Sequence, residues 1–281
     1  MSDLDMIDLA FNVFGQPIVV RAPAQHSDWH ARLRDLMGPY NTPRAMQPAE
    51  LIGVELMDDD LPWHVTYDKY TSMLANEDQL LQHLEWRIFS IGVLHASATL
   101  SLHAGAAARE GKAVLLPGES GSGKTTLTLA LASQGWQILT DDIGLIDVQD
   151  VTGIVRPCAR CCHLSADSLR QLTAKQVALQ GPIGGLPEYF RQAAQGRATP
   201  IGWIVTPRYA PKEELSLTRL TQAETAALMI HGGLRQMNRT VREQWAAAIT
   251  IASHIPGYRL IFPSLDAGLV ALAHITGAAT P

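Results

Sequence analysis

Short apolar runs separated by polar turns fill the first 75 residues. Phe11-Asn12-Val13-Phe14 and Ile18-Val19-Val20-Arg21 flank Gly15-Gln16-Pro17, a pattern that predicts a β-hairpin. Ser27 to Met37 keeps helical spacing and stops at Gly38-Pro39, so a short helix is predicted there. Val54-Glu55-Leu56-Met57 and His64-Val65-Thr66-Tyr67 bracket an acidic turn, Asp58-Asp59-Asp60-Leu61-Pro62. This is the pattern of a small α+β module without a catalytic constellation, and its aspartate triplet reads as a solvated turn rather than a metal site.

The period changes at Asn76, a good N-cap followed by Glu77 and Asp78 in the first turn and Gln79 at the third helical position. Leu80, Leu84, Ile88 and Ile91 then recur at helical spacing and predict a long helix leading into the core. From Ile88 to Ala108 there is no Asp, Glu, Lys or Arg, a length that could cross a bilayer. His95, His103, Ser90, Ser97, Ser101, Thr99, Gly92 and Gly105 dilute its hydrophobicity, so it reads as a buried helix end running into a buried strand. Residues 113–116, 124–134 and 137–140 form a predicted strand-helix-strand unit with a tight turn at Gly135, and a further strand follows at 144–148. Gly181 to Pro187 marks a long loop, and residues 201–206 a buried strand. Thr221-Gln222-Ala223-Glu224 is a capping box opening a helix to about His231, and helices are predicted at 245–253 and 266–274. The division expected is an N-terminal α+β module, 1–75, and an α/β domain, 76–281.

At 281 residues and 47% hydrophobic, the chain can bury one large core or two smaller ones. Lys and Arg number 22 against 27 Asp and Glu, a net charge of −5 with no basic stripe, which argues against nucleic acid as a partner. The acidic start Met1-Ser2-Asp3-Leu4-Asp5 lacks the features of a secretory or transit peptide, so a cytoplasmic protein without a membrane segment is expected. Cys158, Cys161 and Cys162 are odd in number, which speaks against a disulfide framework. A zinc site would need a second ligand pair and a haem attachment would need export, so buried free thiols are the expectation.

Chemistry concentrates between 102 and 160. Gly118-Glu119-Ser120-Gly121-Ser122-Gly123-Lys124-Thr125 completes the G-x-x-x-x-G-K-[ST] pattern between a predicted strand and a predicted helix. Gly118, Gly121 and Gly123 let backbone N–H groups turn inward around a phosphate, and the helix dipole adds positive charge. Lys124 can reach β- and γ-phosphates and the Thr125 hydroxyl can ligate Mg²⁺, so residues 118–126, including Thr126, are candidate nucleotide-binding residues. Asp141 and Asp142 end the strand 137–140, which the turn at Gly135 predicts to lie beside the loop strand. One carboxylate could hold Mg²⁺ and the other accept a proton. On the residues alone, His103 is either a satisfied core histidine or a functional one, and Arg156 and Arg160 are candidates for clamping phosphate oxygens. No G-x-G-x-x-G and no Asn-Lys-x-Asp occurs, which argues against a dinucleotide fold and a small GTPase.

Leu102-His103-Ala104-Gly105, then Val114 to Thr126, then Gly135-Trp136-Gln137-Ile138-Leu139-Thr140-Asp141-Asp142 resemble the bacterial HPr serine kinase/phosphorylase in order and spacing. Pro157-Cys158-Ala159-Arg160 and Pro207-Arg208-Tyr209 extend the likeness to the HPr-kinase-related proteins, which carry an extra N-terminal region and include kinases of lasso and other ribosomal precursor peptides. The resemblance implies a mixed-sheet kinase core of the HPr kinase and phosphoenolpyruvate carboxykinase type, ATP and Mg²⁺ as cofactors, and an acceptor serine on a peptide or small protein. It further implies Asp141 as base, Asp142 as Mg²⁺ ligand, His103 in contact with phosphates or acceptor, and Arg160 near the nucleotide. Ser165 stands where that group often has a lysine, and the glycine-rich signature of the phosphorylase reaction has no match, so phosphorolysis is not expected. HPr kinases form closed oligomers, a property the added N-terminal region leaves open. Two rival readings remain from the residues: a small-molecule kinase or nucleotidyltransferase, and a nucleotide-switched module that presents a peptide to another enzyme.

Overall fold

The computed structural model describes residues 5–25, 27–43, 50–58, 60–191 and 196–277. Two compact units divide it, Met1–Ser97 with Gly181–Tyr189 and Gln236–Asn238, and Ala98–Gln180 with Phe190–Arg235 and Arg239–Pro281. Of the aspartate triplet, Asp59 lies outside the described residues, and Asp58 and Asp60 are exposed.

In the first unit, β1 (Met6–Val13) and β2 (Gln16–Pro23) form the expected hairpin. Helix α1 (Ser27–Met37) crosses to β3 (Glu50–Leu56), which runs parallel to β2, and β4 (Trp63–Tyr67) and β5 (Tyr70–Leu74) complete a sheet of order β1-β2-β3-β4-β5. Strand alternation buries Ile18, Val20, Ile52, Val54, Trp63 and Val65, and Trp29 and Leu33 of α1 join them. Helix α2 (Glu77–His95) belongs to this unit, so the division falls after Ser97. Its start is capped as the sequence predicts: the Asn76 side chain accepts from the Gln79 N–H at 3.0 Å.

The second unit is built on an eight-stranded mixed sheet. Its strands are β6 (Leu100–Arg109), β7 (Lys112–Pro117), β8 (Gln137–Thr140), β9 (Ile143–Gln149), β10 (Thr152–Arg156), β13 (Thr199–Tyr209), β14 (Ser216–Arg219) and β15 (Gly257–Phe262), with two-residue strands β11 (Cys162–His163) and β12 (Tyr189–Phe190) outside it. The order is β10-β9-β6-β7-β13-β15-β14; β13 runs parallel to β7 and β15, and its start also pairs with β10, closing a five-stranded ring. Both faces are covered, which is why its central strands read as continuous apolar runs. Val114, Leu116 and Val205 face Leu127 of α3 (Lys124–Ala130) and Leu269 and Leu272 of α7 (Leu265–Thr276). Ala113, Leu115 and Ile204 face Met229 of α5 (Gln222–His231) and Ala247, Ala248 and Ile251 of α6 (Val241–His254). Helix α4 (Ala166–Ala174) adds Leu172 to the first of these cores. The Thr221–Glu224 capping box is present, and α3 passes through a 3-10 turn, Leu131–Gln134, before Gly135.

One expectation fails. Strand β8 does not lie beside β7, because β6 stands between them and pairs antiparallel with both. The cause is a two-residue turn, Glu110-Gly111, with φ of 54° and 76°, which folds β6 back along β7 and occupies that edge. Since β7 and β8 each oppose β6, they remain parallel to one another. The uncharged stretch 88–108 is the end of α2 followed by β6, as read, and no helix among the described residues is long and apolar enough to cross a membrane.

Candidate active site

Strand β7 ends in the glycine-rich loop, and Lys124 is the first residue of α3. Gly105 lets that helix approach the sheet: a Cβ there would sit 2.1 Å from Thr128 Oγ1. Gly123 is in the left-handed region at φ 83°, and a Cβ on it would meet Tyr209 Cβ at 2.9 Å and Phe262 Cζ at 3.0 Å. Tyr209 at the end of β13 also donates its N–H to the Ser122 carbonyl at 2.9 Å, so the Pro-Arg-Tyr segment braces the loop from outside. Gly123→Ala is therefore expected to destabilise by at least about 2 kcal/mol through positive φ and contact together. The check is a chemical denaturation midpoint, and an unchanged midpoint would contradict it.

Asp141 and Asp142 sit at a break between two strands that share one edge of β6. Strand β8 pairs with Ala106–Ala108 and β9 with Leu100–His103, and between them Ala104 donates its N–H to the Asp142 carbonyl at 3.0 Å. The Thr140 hydroxyl accepts from the N–H groups of Asp142 and Ile143, which fixes the bend. Asp142 thereby lands across the strand from His103.

The result is a chain of ionisable groups. His103 Nε2 lies 2.7 Å from Asp142 Oδ1 and 3.0 Å from Lys124 Nζ. That nitrogen can donate to the carboxylate or accept from the ammonium, but it has one proton position and cannot do both. Arg160 Nη1 pairs with Asp142 Oδ2. Lys124 is 4% exposed, and burial lowers its pKa against the opposing charges of Asp142 and Asp141.

The two aspartates are driven apart. Burial first, and then the negative charge of Asp142, raise Asp141 from 3.8 to about 7, although Arg160 and Lys124 pull the other way. Burial also opposes ionisation of Asp142, but the His103 hydrogen bond and the charges of Arg160, His103 and Lys124 outweigh it and bring it to about 2. One carboxylate is thus a fixed anion and its neighbour a group that exchanges protons near neutrality, the separation expected where two acids have different tasks.

The structure brings His103, Lys124, Asp141, Asp142 and Arg160 together. It does not add Arg156, whose guanidinium holds Asp147 of β9 at 2.5 and 2.7 Å. Thr126 donates to Ser168 Oγ at 2.9 Å, and Ser165, at the position of the missing lysine, caps α4 through the Ser168 N–H. Cys158, Cys161 and Cys162 are buried thiols outside any disulfide, as expected, and burial together with Asp141 pushes the Cys162 thiol well above its usual range. Among the described residues no group of three or more His, Cys, Asp or Glu could by itself hold a metal ion.

A cleft of about 630 Å³ adjoins this cluster through His103. Its lining comes from residues 117–122, from Thr206–Arg208 and Arg259 on the paired strands β13 and β15, and from Leu228 with His231–Leu234. The 231–234 segment is tied to β6 by the His103 N–H on the Gly232 carbonyl, 2.8 Å, and the Leu234 N–H on the Ser101 carbonyl, 2.7 Å. Sequence reasoning missed this cleft and Arg259 altogether.

No family model and no curated protein matches the chain. Among solved structures it is similar to the Hpr(Ser) kinase/phosphatase from Coxiella burnetii, at 14% identity and a TM-score of 0.34, over 63% of this chain and 94% of that one.

Proposed function

We propose that the chain is an ATP- and Mg²⁺-dependent kinase that transfers the γ-phosphoryl group to a serine-type hydroxyl of a peptide or small protein. The observation that carries the reading is the Lys124–His103–Asp142 contact chain at the mouth of a G-x-x-x-x-G-K-T loop, with Asp141 raised to about 7 beside it. The loop suits phosphate oxygens. Among the described residues Ser122 Oγ is buried without a partner, and α3 starts without a side-chain cap, leaving its first N–H groups for an anion.

In this reading the loop N–H groups and Lys124 hold the triphosphate. Thr125 and Asp142 would hold Mg²⁺ with phosphate oxygens completing its shell, since each Asp142 oxygen keeps a lone pair beyond its bonds to His103 and Arg160. The metal would supply neutralisation of phosphate charge. Asp141 accepts the proton of the acceptor hydroxyl as its oxygen bonds to the γ-phosphorus, and the bond to the β-phosphate oxygen breaks with its electron pair left on ADP. Arg160 keeps Asp142 ionised and oriented, and His103 Nε2 stands between that carboxylate and Lys124, bonding to one of them at a time. The first unit, which contributes none of these residues, is assigned to recognition of the acceptor or its carrier.

Intact mass spectrometry of candidate peptides after incubation with ATP and Mg²⁺ tests this. Wild type should add one phosphoryl group, and Lys124→Ala should lower the rate at least about a hundredfold, as loss of one such charge-stabilising donor does elsewhere. Addition of a nucleotidyl group would make the chain a nucleotidyltransferase. Nucleotide binding without transfer to any peptide would leave the binding module or a small-molecule kinase.

A further inference from the structure

We propose that the cleft beside the loop binds a short acidic segment of the acceptor, with Arg259 as the anchor for a carboxylate two to four residues from the phosphorylated hydroxyl. This rests on the kinase reading above, because it is that reading which makes the His103 end of the cleft the place where acceptor and γ-phosphate meet.

Charge is the first support. In a chain of net charge −5, the cleft lining brings in Arg208, Arg259, His103 and His231 against one carboxylate, Glu119. Glu119 itself lies 3.4 Å from His231, and Arg208 is held in a fork by Glu213 at 2.6 and 2.5 Å. Arg259 differs. Among the described residues it makes no ion pair within 4 Å, and Glu224, whose charge it feels, has its Oε2 committed to the Thr221 N–H and hydroxyl at 2.9 and 2.8 Å. A guanidinium left open in the lining of a cleft is a fork for a carboxylate.

Strand register gives the spacing. Ala104, next to His103, pairs with Pro117 on β7, and Thr206 on β13 pairs with Arg259 on β15. In the order β6-β7-β13-β15 this places the His103 and Arg259 backbones three strand spacings apart, about 14 Å. An extended peptide advances about 3.4 Å per residue, so roughly four residues span the interval and the reach of the arginine shortens it. The apolar flanks Pro117, Pro207, Leu228 and Leu234 suit the stems of such a segment. A volume of about 630 Å³ holds a few residues, not a folded domain.

The test uses the full chain and fluorescent synthetic peptides, each with one serine and a glutamate two, three or four residues to either side, against glutamine counterparts. At least one glutamate peptide should bind about tenfold more tightly than its glutamine partner, the size of one charge-assisted contact. Arg259→Gln should erase that preference while leaving the affinity for MgATP, measured by calorimetry, unchanged. Equal binding of every glutamate and glutamine pair, or a preference that survives Arg259→Gln, would overturn the assignment. So would a tenfold loss of MgATP affinity in the variant, which would give Arg259 to the nucleotide. If acidic peptides bind through Arg259 but wild type moves no phosphoryl group to any of them, the kinase reading falls and the acidic-segment site stands.

Discussion

Asp141→Asn is expected to abolish most catalysis and yet to make the protein more stable. Loss of a positioned base lowers rates by about a hundred- to ten-thousandfold, and the asparagine cannot take up the hydroxyl proton. The stability effect follows from the raised pKa. With a folded value of about 7 against 3.8, folding favours the protonated acid. That contribution is fully present below the unfolded value, and it is lost as pH rises through about 7, where the fold must accommodate a buried anion. At 1.36 kcal/mol per unit the cost above neutrality is up to about 4 kcal/mol. The neutral isostere escapes it. Thermal melts should show Asp141→Asn above wild type by roughly 5 °C or more at pH 8, with the gap closing as pH falls toward 4. In the same frame, wild-type kcat/KM should rise with pH up to about 7, because the base must be ionised in the free enzyme. A variant that melts below wild type at pH 8 would refute the burial argument, and one that retains full activity would remove Asp141 from the chemistry.

Local rules carried much of the chain. Asn76 and Gln79, Thr221 and Glu224, and the glycine-rich loop between β7 and α3 were all legible, since each depends on residues within one turn of the others. A second capping box, Thr240 with Glu243, follows the same rule, yet reading the helix from Trp245 passed over it. Strand order was not legible from the turn at Gly135, which brings the chain back to the sheet without saying which edge is free. The signal that settles it is Glu110-Gly111, a two-residue turn of the kind that forms hairpins.

The ionisable cluster was half visible for a similar reason. Asp141 and Asp142 stand out because they are adjacent, and Lys124 because its loop is distinctive. His103 looked the same as any histidine in an apolar run until its pairing with Ile143, the first residue of β9, brought the preceding Asp142 within 2.7 Å of its ring. Arg156 and Arg160 were equivalent on paper. Arg156 lies on β10 and spends its guanidinium on Asp147 of the neighbouring β9, whereas Arg160, four residues on, reaches Asp142. Arg259 carried no local mark at all, because its place in the cleft lining comes from the parallel pairing of β15 with a strand some fifty residues earlier.

Asp142→Ala should move stability in the opposite direction to its neighbour. The Asp142 pKa is depressed, to about 2, so its ionised form contributes stability that is present above the ordinary carboxylate value and lost only as pH falls through about 2. Removing it leaves Arg160, with 17% of its side chain exposed, and buried Lys124 without their shared counter-ion. Truncating one member of a buried pair costs about 3–5 kcal/mol, and since the Asp142 side chain is 31% exposed the expected loss is nearer about 2 kcal/mol. That corresponds to roughly 4–8 °C in the thermal midpoint at pH 7, together with loss of phosphoryl transfer, because the carboxylate that orients His103 is gone. Adding Arg160→Gln should restore part of the midpoint, since the guanidinium that has lost its Asp142 partner is removed, while activity stays lost; the coupling is read from the double-mutant cycle. If Asp142→Ala melts at the wild-type temperature, or if both aspartate variants shift the midpoint the same way, the division of the pair into a fixed anion and a proton acceptor is wrong.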